Sequence, residues 1–211
     1  MKIVVISDTH SKHNEIKSFP EADCIIHCGD FSHSALQGAD FLHWFSKTPY
    51  KYKIVIAGNH EIYFTNTNIQ RRWKETFKDH GIHLLFNESI TLDNIKFWGS
   101  PYSVEFLNWA FMETDEKLEE IWTKIPDDVD VVVTHSPAYK IGDKTATLNV
   151  GSKTLLKRLK ELKKLKAHFY GHIHEDAGLH KADWLSFNAS YQLGGDVLHK
   201  FEISSSGVIE I

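Results

Sequence analysis

Eight side chains able to hold a divalent metal ion or to move a proton fall in five short clusters. They are Asp8 and His10, then Asp30, then Asn59 and His60, then His135, then His172 and His174. Each cluster follows directly on a run rich in Val, Ile, Phe or other apolar residues. Side chains at i and i+2 of an extended chain point the same way, so Asp8/His10 and His172/His174 can each act as a convergent pair. The donors are all N or O with no thiolate, which suits two intermediate divalent ions such as Mn, Fe or Zn. Taken singly, an Asp-Thr-His or a Gly-Asp after a strand is an ordinary turn or cap, and His135 alone reads as a satisfied histidine near a helix start. The joint pattern, five strand ends in five, points to a metal site. Gly29, Gly58 and Gly171 precede three of these positions and permit tight turns close to a bound ion.

The runs that must position these groups are residues 2–7, 23–28, 53–57, 129–134 and 167–171. Each is nearly continuous in apolar residues, as expected of strands covered on both faces. Helical spacing over 35–46, 68–79 and 114–124, the last opened by a Thr114 cap, alternates with them. The clearest helix is expected over 152–166, with Leu155, Leu156, Leu159, Leu162 and Leu165 on one stripe and seven Lys or Arg residues opposite, read as a solvated face. Leu92-Asp93-Asn94-Ile95 predicts a hairpin turn within 89–98, and 183–187, 197–203 and 207–211 read as further strands. This alternation with an all-β tail predicts an α/β sandwich, a single domain over residues 1–211. Ligands in parallel α/β sheets gather outside the carboxyl ends of the strands, so five separated segments would deliver their groups to one edge.

Composition narrows the partners. Charged residues at 25% and hydrophobic ones at 42% describe a globular chain and exclude wholesale disorder. The net charge of −4, from 24 basic and 28 acidic residues, argues against a dedicated nucleic-acid surface or a polybasic membrane binder. No stretch approaches the roughly 18–20 apolar residues of a membrane span. The N-terminal apolar run is too short for a signal peptide, so a cytoplasmic location is expected. Cys24 and Cys28 share one expected strand, which puts their Cα atoms about 13 Å apart, beyond the roughly 7 Å limit for a disulfide. They are expected as buried thiols. Oligomeric state leaves no mark on the sequence. The fourteen histidines are informative by position only, since eight of them follow no motif.

In order along the chain, Asp8-Thr9-His10, Gly29-Asp30, Gly58-Asn59-His60-Glu61, His135 and Gly171-His172-Ile173-His174 resemble the motifs of the calcineurin-like metallophosphoesterases. A closer likeness is to the metallophosphoesterase-domain-containing family. It is carried by Tyr52 through Glu61, Gly99-Ser100-Pro101 with Asn108-Trp109-Ala110-Phe111, and Asn188-Ala189-Ser190. The resemblance implies a four-layer α-β-β-α double β-sandwich. It implies one metal held by Asp8, His10, Asp30 and His174, and a second by Asp30, Asn59, His135 and His172, with Asp30 bridging. Mn leads the expected ions, with Fe, Zn and Mg as alternatives. Two such ions, two aspartates and a hydroxide leave the site net positive by about one, which attracts a phosphate ester.

The resemblance also implies the chemistry. Paired ions generate hydroxide and aim it in line at phosphorus, while His60 contacts the phosphate or protonates the leaving oxygen. In many relatives an acid three residues after the bridging Asp orients this histidine. Here that position is His33, which reads either as a substitute partner or as a surface residue. The serine/threonine phosphatases of the superfamily carry a phosphate-binding Arg soon after the Gly-Asp motif, and Phe31-Ser32-His33-Ser34-Ala35 has none. The expected substrate is therefore a small phosphodiester of the cyclic-nucleotide kind, with Trp98, Tyr102, Trp109 and Tyr139 as candidates for a base pocket or for packing. A nuclease or a phosphomonoesterase of the same superfamily is the alternative enzyme. A non-catalytic scaffold is the remaining reading, weakened because all eight expected positions are filled.

Overall fold

The computed structural model of the chain describes residues 1–190, 198–204 and 207–210. Along the sequence run β1 (Lys2–Ile6), β2 (Cys24–His27), α1 (Ala35–Ser46), β3 (Tyr52–Ile56), α2 (Thr67–Asp79) and β4 (His83–Leu85). Then come β5 (Glu88–Leu92), β6 (Ile95–Ser100), β7 (Ser103–Val104), β8 (Met112–Glu113), α3 (Asp115–Trp122) and β9 (Val131–Thr134). The last are α4 (Lys153–Glu161), β10 (Ala167–Tyr170), β11 (Gly178–His180), β12 (Leu185–Asn188), β13 (His199–Ser204) and β14 (Gly207–Glu210).

Among the described residues these strands form two six-stranded sheets, ordered β14-β13-β1-β2-β3-β4 and β11-β12-β10-β9-β6-β5, with β7 and β8 paired apart. The centre of each sheet is parallel, β1 to β4 in one and β12-β10-β9-β6 in the other, and the outer strands β13, β14, β11 and β5 are antiparallel. The continuous apolar runs follow from this layering. Val5, Ile26, Ile54, Val131, Val133, Phe169 and Phe187 point between the sheets. Their neighbours Val4, Ile6, Ile25 and Val55 point outward under Phe41, Phe45 and Phe77 of α1 and α2. Val132 and Trp98 lie likewise under Leu118, Trp122, Leu155 and Leu159 of α3 and α4. Four layers, α-β-β-α, result, as the family resemblance implies.

The hairpin turn is where expected. Asp93 and Asn94 take φ of 46° and 63°, the left-handed pair of a two-residue turn, with Leu92 opposite Ile95. Thr114 caps α3, accepting from Lys117 N. β4, β7, β8 and β11 are not foreseen, being two or three residues long and too short for a period. Positions 197 and 211 of the expected tail strands lie outside the described residues. α4 stops at Glu161 rather than running to 166, because Leu162 turns extended (ψ 103°). The chain then brings Lys166 N to Asp130 O at 2.8 Å and enters β10. Leu162 stays buried there, so the leucine stripe continues into the turn. Most of the basic residues over 152–166 are exposed, as expected of a solvated face, and three of them also meet acids from other elements: Lys157 meets Glu119 at 2.7 Å, Arg158 meets Asp127 at 2.6 Å and Lys166 meets Asp130 at 3.0 Å. No helix among the described residues is long and apolar enough to cross a membrane.

Two histidines without a motif are locked inside this framework. His27 Nε2 meets Thr9 Oγ1 at 3.0 Å and its Nδ1 accepts from Gly29 N. His168 Nε2 lies 2.7 Å from Thr134 Oγ1. Burial pushes both down to about 3. Between that value and 6.5 the unfolded chain binds the extra proton, so the stabilising effect is complete above pH 6.5 and is lost as pH falls through this window. For His168 alone this is worth about 2 kcal/mol at pH 5. Urea unfolding at pH 7 and pH 5 should show the His168→Asn variant losing less stability across that interval than the parent chain, by this order. An unchanged difference between the two pH values would refute the assignment.

Candidate metal centre

The site is built by loops that leave the parallel strands and are stitched to one another in pairs. Asp8 N donates to Gly29 O, His10 N to Asp30 O and Ser11 N to Phe31 O, at 2.9–3.0 Å, so the exits of β1 and β2 run side by side. Across the other sheet Gly171 N donates to His135 O at 3.0 Å, joining the exits of β9 and β10. A parallel bridge between Ser7 and Ser190 links the two sheets. The turns are tight enough that Asp8, His10, Asp30 and His172 all take left-handed backbone, with φ of 55°, 43°, 55° and 72°. That conformation is rare outside glycine and collects at functional sites.

Two donor clusters result. Asp8, His10 and His174 form one: His174 Nε2 lies 3.3 Å from Asp8 Oδ1 and 3.4 Å from His10 Nε2. Asp30, His135 and His172 form the other, with His135 Nε2 3.3 Å from Asp30 Oδ2 and 2.9 Å from Asn59 Oδ1. His60 stands beside them, its Nε2 3.8 Å from Asp30 Oδ2 and its backbone N–H on Asp30 Oδ1 at 2.9 Å. All seven expected ligands and His60 are thus brought to one edge. A third grouping, His10, His33 and His60, adjoins them.

The whole length of this arrangement coincides with one family. Residues 1–176 match the model of the calcineurin-like phosphoesterases. The chain belongs to that family. It is 32% identical over 202 residues to human Metallophosphoesterase domain-containing protein 1, which covers 84% of this chain and 62% of that protein, so the chain spans less than two thirds of this curated relative. Among solved structures, Thermus thermophilus TT1561 superposes with a TM-score of 0.69 at 9% identity, over 99% of this chain and 97% of that one. A novel archaeal phosphodiesterase gives 0.55 at 18%, over 100% and 99%. At these identities the structural likeness speaks to the fold.

The donor set of this calcineurin-like phosphoesterase fits a pair of cations. Asp8 and Asp30 are 2% exposed. Burial acts to raise both carboxyls, but the hydrogen bond from His174 and the charge of His135 hold Asp8 below the usual range, and His135 does the same for Asp30. Burial acts to lower His135, yet Asp30 overrides it and lifts it to about 9. A cation held by these groups would compete with a proton on His135 for the same carboxylates. Burial drops His172 to about 4, leaving a neutral imidazole ready to donate a lone pair. His10 Nδ1 is buried without a hydrogen-bond partner. Its Nε2 faces that of His174, two imidazole nitrogens aimed at one point.

Several residues matter here that spacing alone did not single out. Glu61, fully buried, accepts from Gly58 N (2.7 Å), Asp30 N (3.1 Å), Ser32 N (2.7 Å) and Ser32 Oγ (3.2 Å), and so ties the exits of β2 and β3 together. Burial and the Asp30 charge push its carboxyl up to about 8. An acid directly behind the Gly-Asn-His ligand step was the available signal. Ser190 Oγ donates to Asp8 Oδ2 at 3.0 Å. Trp109 packs its ring 4.4 Å from that of His60. Of the other aromatics, Trp98 is core against Trp122, Tyr102 packs on Phe111, and Tyr139 lies under Lys140 and Lys153.

Gly29 takes φ of 101°, but Gly171 serves by closeness: a Cβ there would overlap Ser7 Oγ and Asp8 Oδ2. Gly171→Ala should therefore displace the Asp8 carboxylate and weaken divalent-cation binding by about 10- to 100-fold, with the fold intact. Calorimetric titration with Mn(II) alongside circular dichroism measures this, and parental affinity in the folded variant would show that Asp8 is not held as described.

Proposed function

We propose that this chain is a two-metal phosphodiesterase acting on small diesters of the cyclic-nucleotide kind. The observation that carries the reading is the character of the convergent edge. Its donors are Asp, Asn and His, and the described side chains beside them include His60, Ser190 and Trp109, none of them a lysine or arginine. A monoester dianion calls for a further cation beside the ions, whereas a diester carries a single charge.

Asp8, His10 and His174 would hold one ion and Asn59, His135 and His172 the other, with Asp30 between them. Two divalent ions held there would supply a nucleophile from water at neutral pH and stabilise charge on the phosphoryl oxygens. The nitrogen and oxygen donors suit Mn, with Fe and Zn close behind. His60 is placed to give a proton to the leaving oxygen, since its Nε2 faces the ligands and its backbone is pinned to Asp30. Trp109, 37% exposed, backs His60 and offers its outer face to an aromatic or base-like leaving group. Cys24 and Cys28 are buried and unpaired, which suits a reducing compartment such as the cytoplasm.

Mn-loaded protein should hydrolyse bis-p-nitrophenyl phosphate at least about tenfold faster than p-nitrophenyl phosphate, given how a single missing positive contact shifts rates. Dominant monoesterase activity across a grid of metals and pH would sink the diesterase reading. Asp30→Asn should abolish both metal occupancy and turnover. His60→Ala should keep both ions and lose roughly 100-fold or more in kcat, most with poor leaving groups. Metal analysis that finds the His60→Ala protein empty would move His60 from proton donor to ligand.

A further inference from the structure

Asn188, Ala189 and Ser190 leave the end of β12 beside the last ligand motif and supply none of the candidate ligands themselves. Asn188 stands opposite Tyr170 in the pairing of β12 with β10, and Ala189 N donates to Tyr170 O at 2.7 Å, so this segment runs alongside Gly171 and His172. The Asn188 side chain is buried and its amide is fully engaged. Nδ2 donates to Ile173 O at 2.8 Å and to Gly142 O at 3.1 Å, and Oδ1 accepts from Ser190 N at 3.0 Å. Carbonyl oxygens only accept, so the two on one side fix which way the amide faces.

Two of these bonds lead to ligands. Ile173 stands between His172 and His174, and its carbonyl belongs to the peptide that enters His174. Ser190, held through its backbone, donates Oγ to Asp8 Oδ2 at 3.0 Å, and His172 N donates to the same oxygen at 2.9 Å. Two donors thereby occupy Oδ2, and Oδ1, 3.3 Å from His174 Nε2, is the oxygen left for an ion. The third bond, to Gly142, ties in the loop that follows His135 out of β9.

We infer that Asn188 and Ser190 are positioning residues for the ion of the Asp8 cluster. The Asn188 amide sets the peptide between Ile173 and His174, and Ser190 turns the Asp8 carboxylate, so that Asp8 Oδ1 and His174 Nε2 meet at one point. This deepens the two-metal reading and rests on it for the ligands, but not on which ester is cleaved. It differs from simple bracing of a buried turn in one respect: the two ions should respond unequally. Asp30 and His135 of the other cluster are bonded to His60 N, Cys28 O and Asn59 Oδ1, which lie on other segments.

Calorimetric titration of the full chain with Mn(II), with circular dichroism to follow the fold, should resolve two ions in the parent. Asn188→Ala should weaken one of them by roughly 10- to 100-fold and the other by less than about threefold. Ser190→Ala removes a single hydroxyl and leaves the amide in place, and it should weaken the same ion by roughly 3- to 30-fold. His174→Ala should hold one ion. Adding Asn188→Ala to it should leave that ion's affinity within about twofold, because the ligand through which Asn188 acts is already gone.

Equal weakening of both ions, or parental affinity for both in folded Asn188→Ala, would overturn the inference. So would a further loss when Asn188→Ala is added to His174→Ala. If Asn188→Ala does not fold, Ser190→Ala decides: a loss at one ion supports the positioning role, and parental affinity or an equal loss at both overturns it. A parent that binds no divalent ion sinks the two-metal reading itself, whereas a parent with two ions and indifferent variants sinks the positioning role alone.

Discussion

Asp8 and Asp30 are ionised carboxylates kept from water at the rim of a close-packed sandwich, and most of the site exists to make that tolerable. An isolated buried carboxylate is among the most unfavourable groups a fold can hold. Here each takes a backbone N–H from a neighbouring loop, His172 N to Asp8 and His60 N to Asp30. Ser190, His174 and His135 complete their surroundings. These partners come from both sheets, so the carboxylates can be satisfied only where the two sheets meet. The apolar layer between the sheets sets how closely they meet, at the roughly 10 Å spacing of stacked sheets. Val5, Ile26, Val133 and Phe169 of that layer lie a few residues behind the ligands on the same strands. Packing and chemistry are therefore two ends of the same five segments.

Much of this is legible in the sequence, for an identifiable reason. A strand covered on both faces has no polar alternation, so β1, β2, β3, β9 and β10 stand out as apolar runs, and their sudden ends in Asp, Asn or His mark the edge where they emerge. The hairpin at Asp93-Asn94 is local and equally readable. What escapes is whatever depends on chain far away. Nothing near Lys157 or Lys166 announces Glu119 or Asp130, although the basic face of α4 is exposed as expected. Glu61 stands in the sequence only as the last residue of the Gly58-Asn59-His60-Glu61 motif, and the fold shows three backbone N–H groups converging on it. His27 and His168 look idle by sequence and prove to be neutral buried rings holding the loops and strands behind the ligands.

The His33 position shows how family likeness and individual chemistry divide. Likeness to the motifs of the calcineurin-like phosphoesterases picks out the seven candidate ligands and His60. It does not account for an imidazole beside His60, because a carboxylate there would accept a hydrogen bond whereas an imidazole can donate one. One residue in the loop after β2 sets a second imidazole nitrogen 3.0 Å from His60 Nδ1 while every candidate ligand keeps its place.

The left-handed turns at Asp8, His10, Asp30 and His172 have a consequence for the whole molecule. Each such residue costs about 1–2 kcal/mol relative to right-handed backbone, and together they amount to a large share of the roughly 5–15 kcal/mol by which a domain of this kind is stable. Glycine at any of the four would relax the chain and remove the chemistry in the same stroke. Selection for stability alone would therefore erode this edge first, and that its side chains stand in such backbone argues that they are kept for use.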